Sequence, residues 1–186
     1  MRLFHTAILL ITNPSEAWKG LVEKRSDTHD SFLSEYVYPF MGLIALASFL
    51  GVLFNGKEVE FQIALKETIV VLLSVFGGFF LASYLVNEVW QTIFRREPNM
   101  KLCQRFVGYS SSLFFCLSII SSLFPDFFFL RFLVFYTIYI VWEGVIPYME
   151  MKESEQFKFV AFSTAIIIIT PVLITFILRL LMPGLT

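Results

Sequence analysis

The fold is decided by the stretch TIVVLLSVFGGFFLASYLVNEVWQTIF, which occupies residues 68–94 and contains a single charged residue, Glu88. About 20 apolar residues are enough for a helix to cross the hydrocarbon core of a bilayer. Backbone groups in lipid must be hydrogen-bonded internally, and this stretch lacks the alternation that is typical of a barrel strand. The stretch therefore predicts a transmembrane helix.

The composition of the whole chain agrees with this prediction. The 186 residues are 57% hydrophobic and 18% aromatic, and only 16% are charged. Soluble domains carry about 25% charged residues, and a chain of this length cannot bury so much apolar surface in a water-soluble core. We therefore expect an integral membrane protein in contact with the lipid bilayer. The net charge of −1 argues against a nucleic-acid partner.

Polar turns divide the chain into five segments of membrane length, and these predict an all-α, polytopic membrane protein with five transmembrane helices. The predicted spans are about 36–54, 68–94, 106–124, 127–148 and 157–182. The separating turns are NGKE (55–58), RREPNMK (95–101), PD (125–126) and MEMKESE (149–155). Because only two residues separate the third span from the fourth, these two spans are expected to form an antiparallel hairpin.

Lysines and arginines are distributed unevenly between the two sides of the predicted membrane domain. Ten lie in segments on the side of the N-terminus, and 4 lie on the opposite side. The positive-inside rule therefore predicts a cytoplasmic N-terminus and a C-terminus outside.

The segment ahead of the first span is predicted to form short amphipathic helices. Asn13 is a suitable N-cap, Pro14 a suitable first helical residue, and Glu16 a suitable partner at the N3 position of a capping box. We expect two helices hinged at Asn13–Pro14 that lie in the membrane interface, with Trp18 at the level of the headgroups. The predicted units are a cytoplasmic amphipathic segment over 1–33 and a five-helix transmembrane domain over 34–186. The amphipathic segment either caps the bundle or offers a docking surface to a partner.

Small residues form a stripe on the second span. Ser74, Gly78 and Ala82 recur at every fourth position, so they share one helix face. Such a stripe lets another helix approach closely. The partner helix could belong to the same chain or to another subunit.

Four polar residues are expected at a similar depth, toward the side of the N-terminus. They are Asn87, Glu88, Arg105 and Glu143. Ionisable groups near membrane depth are costly, so they are expected to pair. This pattern is compatible with an interfacial salt-bridge cluster that joins three helices, with a proton or ion site, or with a polar cavity for a headgroup.

Signatures of enzymes and metal sites are missing from the sequence. It contains no HExxH, CxxC, P-loop, GxGxxG or GxSxG pattern, and its two histidines lie far apart at positions 5 and 29. We therefore expect a protein that is not an enzyme and that has no catalytic residue, cofactor or metal.

Several short phrases resemble those of the Yip (Ypt-interacting protein) domain family. They are NPSEAW (13–18), RFVGYSS (105–111), LFNG (53–56) and WEG (142–144). The resemblance implies a compact bacterial-type member in the bacterial cytoplasmic (inner) membrane, with its C-terminus periplasmic or external. Eukaryotic relatives bind prenylated Rab-type GTPases. The chain lacks their long polar N-terminal region and their DLYGP phrase, which argues against a GTPase partner. The resemblance implies no catalytic residue.

Three functions follow from these patterns. The first is a non-enzymatic scaffold or accessory subunit that binds another membrane protein, or itself, through the Asn13–Pro14 hinge, Trp18 and the small-residue stripe. The second is a small oligomeric transporter or channel built around Glu88, Arg105 and Glu143. The third is a protein that binds or scrambles lipids.

Overall fold

The computed structural model describes residues 2–23, 32–55 and 61–181, and within these ranges the chain is helical without strands. The helices are α1 (Arg2–Thr12), α2 (Pro14–Glu23), α3 (Tyr38–Asn55), α4 (Phe61–Thr92), α5 (Met100–Ser110), α6 (Ser112–Leu123), α7 (Thr137–Met149) and α8 (Glu153–Leu181). A π-helical segment, Leu33–Val37, leads into α3, and a 3-10 helix, Pro125–Tyr136, leads into α7. The predicted all-α class is confirmed.

Within these described ranges, the helical segments long and apolar enough to cross a membrane number 4, or 5 if a bent pair counts as one span. The unbroken segments are Leu33–Asn55, Phe61–Thr92, Pro125–Met149 and Glu153–Leu181. The bent pair is α5 and α6, which meet at an angle of 46°. The chain is therefore a polytopic membrane protein. Residues 56–58 of the predicted turn at 55–58 lie outside the described residues, as do residues 24–31 of the predicted amphipathic segment.

The bend in the third span has a local cause in consecutive serines. Ser110, Ser111 and Ser112 are buried, and Ser111 has φ −82° and ψ 1°, which interrupts the helix. The Ser111 hydroxyl donates to the carbonyl of Val107 at 2.7 Å, and the Ser112 hydroxyl bonds the hydroxyl of Tyr36 at 2.6 Å. Hydroxyl groups that bond nearby backbone carbonyls are a recognised cause of helix bending. The predicted span at 106–124 covers the end of α5, this bend and the whole of α6.

The connection between the third and fourth spans is longer than the predicted two-residue turn. Phe124 is extended, with φ −130° and ψ 77°, as expected for a residue that precedes a proline. The chain then continues as the 3-10 helix and packs back against α6. The fourth span therefore begins with 3-10 geometry over Pro125–Tyr136 rather than as an α-helix.

The two N-terminal helices form as predicted but pack into the bundle. The side-chain amide of Asn13 donates to Glu16 at 2.8 Å, and the backbone N–H of Glu16 donates to the Asn13 side chain at 3.4 Å. This confirms Asn13 as the N-cap, Glu16 as its partner and the break between α1 and α2. Glu16 bonds the side chain of Asn13 rather than its backbone N–H, because that N–H donates to the carbonyl of Leu9 at 2.8 Å. Four of their side chains join the same apolar core as the spans, namely Ala7, Leu10, Ala17 and Trp18.

A serine-lined cavity as the candidate functional site

The position of Trp18 differs from the prediction. Its side chain is 0% exposed, and its indole N–H donates to the backbone carbonyl of Ile140 at 2.8 Å. The ring stacks on Phe106 with 5.4 Å between ring centroids. Gly144 makes room for it, since a Cβ there would lie 2.4 Å from an indole carbon. The expectation of Trp18 at the headgroup level is therefore wrong, because the indole fits a closed socket in the protein.

The two residues of the predicted hinge, Asn13 and Pro14, have different surroundings from each other. Asn13 is exposed and uses its side chain in the capping box, whereas Pro14 is buried. The side chain of Trp18 cannot touch a partner from its socket. A contact between a partner and the exposed face of α2, including Asn13, stays a prediction.

The small-residue stripe lies in a seam between α4 and α8. Ser74, Gly78 and Ala82 are buried, and the nearest neighbour of Gly78 is Pro171. A Cβ on Gly78 would lie 2.8 Å from the Cβ of Pro171. The stripe therefore allows two helices of the same chain to pack closely, which is one of the two predicted alternatives.

This seam yields a first testable prediction. Gly78→Ala is expected to lower the free energy of unfolding by about 1–2 kcal/mol, because the added methyl overpacks against Pro171. The matched control is Gly77→Ala, whose Cβ would meet only the mobile end of Ile174 at 3.3 Å. Thermal unfolding of both variants in one detergent would measure the difference. Equal unfolding temperatures would contradict the assigned seam.

The four predicted polar residues have unequal environments. Asn87 is buried, and its side-chain oxygen accepts the backbone N–H of Asn99 at 3.0 Å and faces the sulfur of Cys103 at 3.8 Å. It therefore ties α4 to the start of α5. Arg105 is also buried, while Glu88 and Glu143 are partly exposed. A shared ion or headgroup site for the four stays a prediction.

A cavity of about 770 Å³ lies near the opposite end of the bundle. We call it the serine-lined cavity. Residues of α3, α4, α6, the 3-10 helix and α8 line it, and they include Ser48, Ser74, Ser118, Ser121 and Ser122. Pockets that bind small molecules typically measure about 300–1,000 Å³. The cavity is therefore large enough for a ligand of appreciable size.

The inner part of the cavity combines hydroxyl groups with apolar walls. Ser48 and Ser74 are buried, and the hydroxyl of Ser74 donates to the carbonyl of Val70 at 2.7 Å. Ser118 donates in the same way to the carbonyl of Phe114 at 2.8 Å. Back-bonding of this kind uses the hydroxyl proton and leaves the oxygen lone pairs available.

Charged residues stand at the rim of the cavity. Arg179 of α8 and Glu67 of α4 form an ion pair with 2.5 Å between nitrogen and oxygen. Arg131 of the 3-10 helix also lines the cavity and is exposed. Ser74 lies two helical turns from Glu67, about 10 Å along the axis of α4. The cavity thus runs from a charged rim to a hydroxyl-bearing interior.

The rim is held together by contacts between α3 and α6. The side-chain amide of Asn55 donates to the carbonyls of Gly51 at 2.8 Å and Leu123 at 3.0 Å. Gly51 itself lies so close to α6 that a Cβ would fall 1.9 Å from the carbonyl oxygen of Ser122. These contacts fix one wall of the serine-lined cavity.

One side of the cavity reaches the lipid-facing surface. Val172 lines the cavity and is nevertheless 59% exposed, and it lies two turns along α8 from Arg179. The cavity is therefore open at the surface of the bundle beside Val172 as well as at its charged rim.

The serine-lined cavity was missed from the sequence because its parts are spread over five elements. Glu67 carried no assigned role, and Arg131 and Arg179 counted only toward membrane orientation. Ser118 and Ser122 are one helical turn apart on α6 and resemble a packing stripe. The sequence feature that could have indicated the cavity is the set of serines on three apolar spans, together with arginines on the side of the membrane domain that has few positive charges.

The fold and the cavity together define a multi-pass helical membrane protein with an amphipathic cavity between its spans. The model of the Yip1 domain family matches residues 8–177, which is most of the chain. The chain belongs to the Yip1 domain family, as the resemblance of its short phrases indicated. A search of curated proteins finds no match, and a search of solved structures finds none.

Proposed function

We propose that the protein is a non-enzymatic membrane protein that binds a lipid in the serine-lined cavity. The observation that carries this proposal is the order of the lining groups. Charged side chains stand at the rim, and behind them lies an apolar wall that includes the exposed Val172 and would face the acyl chains in a bilayer. A lipid has the same order of polar head and apolar tail, so it can bury both parts without changing its orientation in the bilayer.

The chemistry of the lining supports binding rather than catalysis. The described lining residues offer hydroxyls, two guanidinium groups and the carboxylate of Glu67, which is already paired with Arg179. Serine is a weak nucleophile unless an adjacent base activates it. No histidine, cysteine or lysine stands among these lining residues to take that part.

The proposal includes the orientation of the chain. With the N-terminus on the cytoplasmic side, as the positive-inside rule favours, the rim with Arg131 and Arg179 lies on the outer side of a bacterial cytoplasmic membrane. The lipid would then come from the outer leaflet. The alternative of an accessory subunit rested partly on Trp18 and the small-residue stripe, and these side chains are engaged inside the chain.

Filling the cavity tests the proposed function. Ser118→Phe places a ring in the cavity and is expected to weaken lipid binding about tenfold or more, a loss of about 1.4 kcal/mol. Native mass spectrometry of the delipidated protein, titrated with phosphatidylglycerol and phosphatidylcholine of identical chains, would measure both affinities. The wild type is expected to hold a stoichiometric lipid.

The matched control for this variant is Ile120→Phe on the same helix. Ile120 is exposed and does not line the cavity, so this change leaves the cavity open. Thermal unfolding of both variants shows whether the fold is retained. Equal lipid binding by wild type and a folded Ser118→Phe variant would reject the cavity as the binding site.

A further inference from the structure

We infer that the lipid held in the serine-lined cavity carries an anionic phosphate headgroup, which Arg131 binds at the rim with help from Arg179. This inference rests on the proposed function and adds the class of ligand. It follows from the charges at the rim, the geometry of the guanidinium group and the apolar walls behind it.

The charges of the described lining residues do not cancel. Two arginines, Arg131 and Arg179, face a single carboxylate, Glu67, and that carboxylate is paired with Arg179. Arg131 therefore supplies the excess positive charge of this rim. A guanidinium group stays protonated under all physiological conditions. An occupant with one negative charge would balance the excess, whereas a zwitterionic or neutral headgroup would leave it uncompensated.

The type of cation also favours phosphate. A guanidinium group presents a planar set of N–H donors that matches phosphate oxygens, and charge-assisted bonds of this kind are stronger than neutral ones. Arg179 is half-exposed even while it bonds Glu67 at 2.5 Å. It therefore retains N–H donors that a phosphate beside Arg131 can share. Serine hydroxyls of α6, at Ser121 and Ser122, add neutral donors on the adjacent wall.

The source of the phosphate is a lipid rather than a free ion. Behind the rim, the walls include Val71, Leu117, Val134 and Ile168, which offer nothing to inorganic phosphate. The same walls would bury apolar chain surface, which contributes about 25 cal/mol per Å². A phosphate diester that carries acyl chains uses both parts of the cavity.

The test compares headgroups on identical acyl chains. Native mass spectrometry of the full chain, titrated with phosphatidylglycerol or with phosphatidylcholine, is expected to show about tenfold tighter binding of the anionic lipid. Arg131→Gln is expected to reduce this preference to about twofold or less while leaving phosphatidylcholine binding unchanged. The matched control is Lys101→Gln, which removes one exposed positive charge from the other side of the bundle and should retain the full preference.

Each outcome separates this inference from the proposed function. Equal binding of the two lipids by the wild type overturns the inference and leaves the cavity as a lipid site. Failure of both lipids to bind overturns the proposed function as well. Equal loss of preference in Lys101→Gln assigns the effect to overall charge and overturns the role of Arg131. Displacement of phosphatidylglycerol by inorganic phosphate at comparable concentration identifies a free anion as the ligand and overturns the lipid source.

Discussion

Gly51→Ala is expected to destabilise the protein by about 3 kcal/mol, the upper part of the range for overpacking. A Cβ at this position would lie 1.9 Å from the carbonyl oxygen of Ser122 and 2.8 Å from its carbonyl carbon. These are backbone atoms of α6, so no side-chain rotation relieves the clash. The two helices must separate, and the bond from Asn55 to Leu123 must lengthen with them.

Gly42→Ala supplies a matched control on the same helix. A Cβ at Gly42 would have nothing within 4 Å. Alanine favours a helix over glycine by roughly 0.5–1 kcal/mol, so this variant is expected to be at least as stable as the wild type. Thermal unfolding of the purified variants in one detergent is expected to show a lower unfolding temperature for Gly51→Ala and an equal or higher one for Gly42→Ala, although both replace glycine with alanine. A Gly51→Ala variant as stable as Gly42→Ala would contradict the close approach of α3 and α6.

The same variant has a consequence for the serine-lined cavity. Gly51 and Ser122 both line it, so separation of α3 from α6 changes its shape where the two helices meet. Lipid binding by Gly51→Ala is therefore expected to weaken together with stability. Ser118→Phe, in contrast, is designed to block binding while the helices stay in place. The two variants distinguish a damaged wall from an occupied cavity.

The spans were predictable because hydropathy depends on each segment alone. The stretch 68–94 was recognised from its run of apolar residues, and it forms the greater part of α4. The capping box at Asn13 was recognised for the same reason, since its partners are adjacent in sequence. Local patterns of this kind carry their own physical cause and need no knowledge of neighbouring helices.

The serine-lined cavity was not predictable because it depends on which helices are neighbours. Glu67 and Arg179 are 112 positions apart in the chain and meet only when α4 packs against α8. Hydropathy identifies each helix but does not fix its rotation or its partner, because lipid is as apolar as a buried core. The same limit explains the error at Trp18, whose socket is built by α5 and α7.

Trp18→Ala is expected to cost about 4 kcal/mol, because truncation of a fully buried aromatic residue leaves a large void. It also removes the donor to the carbonyl of Ile140, which lies in the core. The matched control is Trp142→Ala on α7, since that side chain is partly exposed and faces outward. Thermal unfolding in detergent should show a large decrease for the first variant and a small one for the second. Equal decreases in the unfolding temperature of the two variants would contradict the burial of Trp18 in this socket.

The expected loss of stability in Trp18→Ala determines which variants can test binding to other membrane proteins. If a partner disappears when Trp18 is replaced, detachment of α2 from α7 explains the loss, since the indole itself is enclosed. The exposed face of α2 carries Lys19, whose substitution leaves the socket intact. A partner that is lost with Lys19→Ala, at unchanged thermal stability, would contact α2 directly. A partner lost only with Trp18→Ala would instead report the integrity of the N-terminal helices.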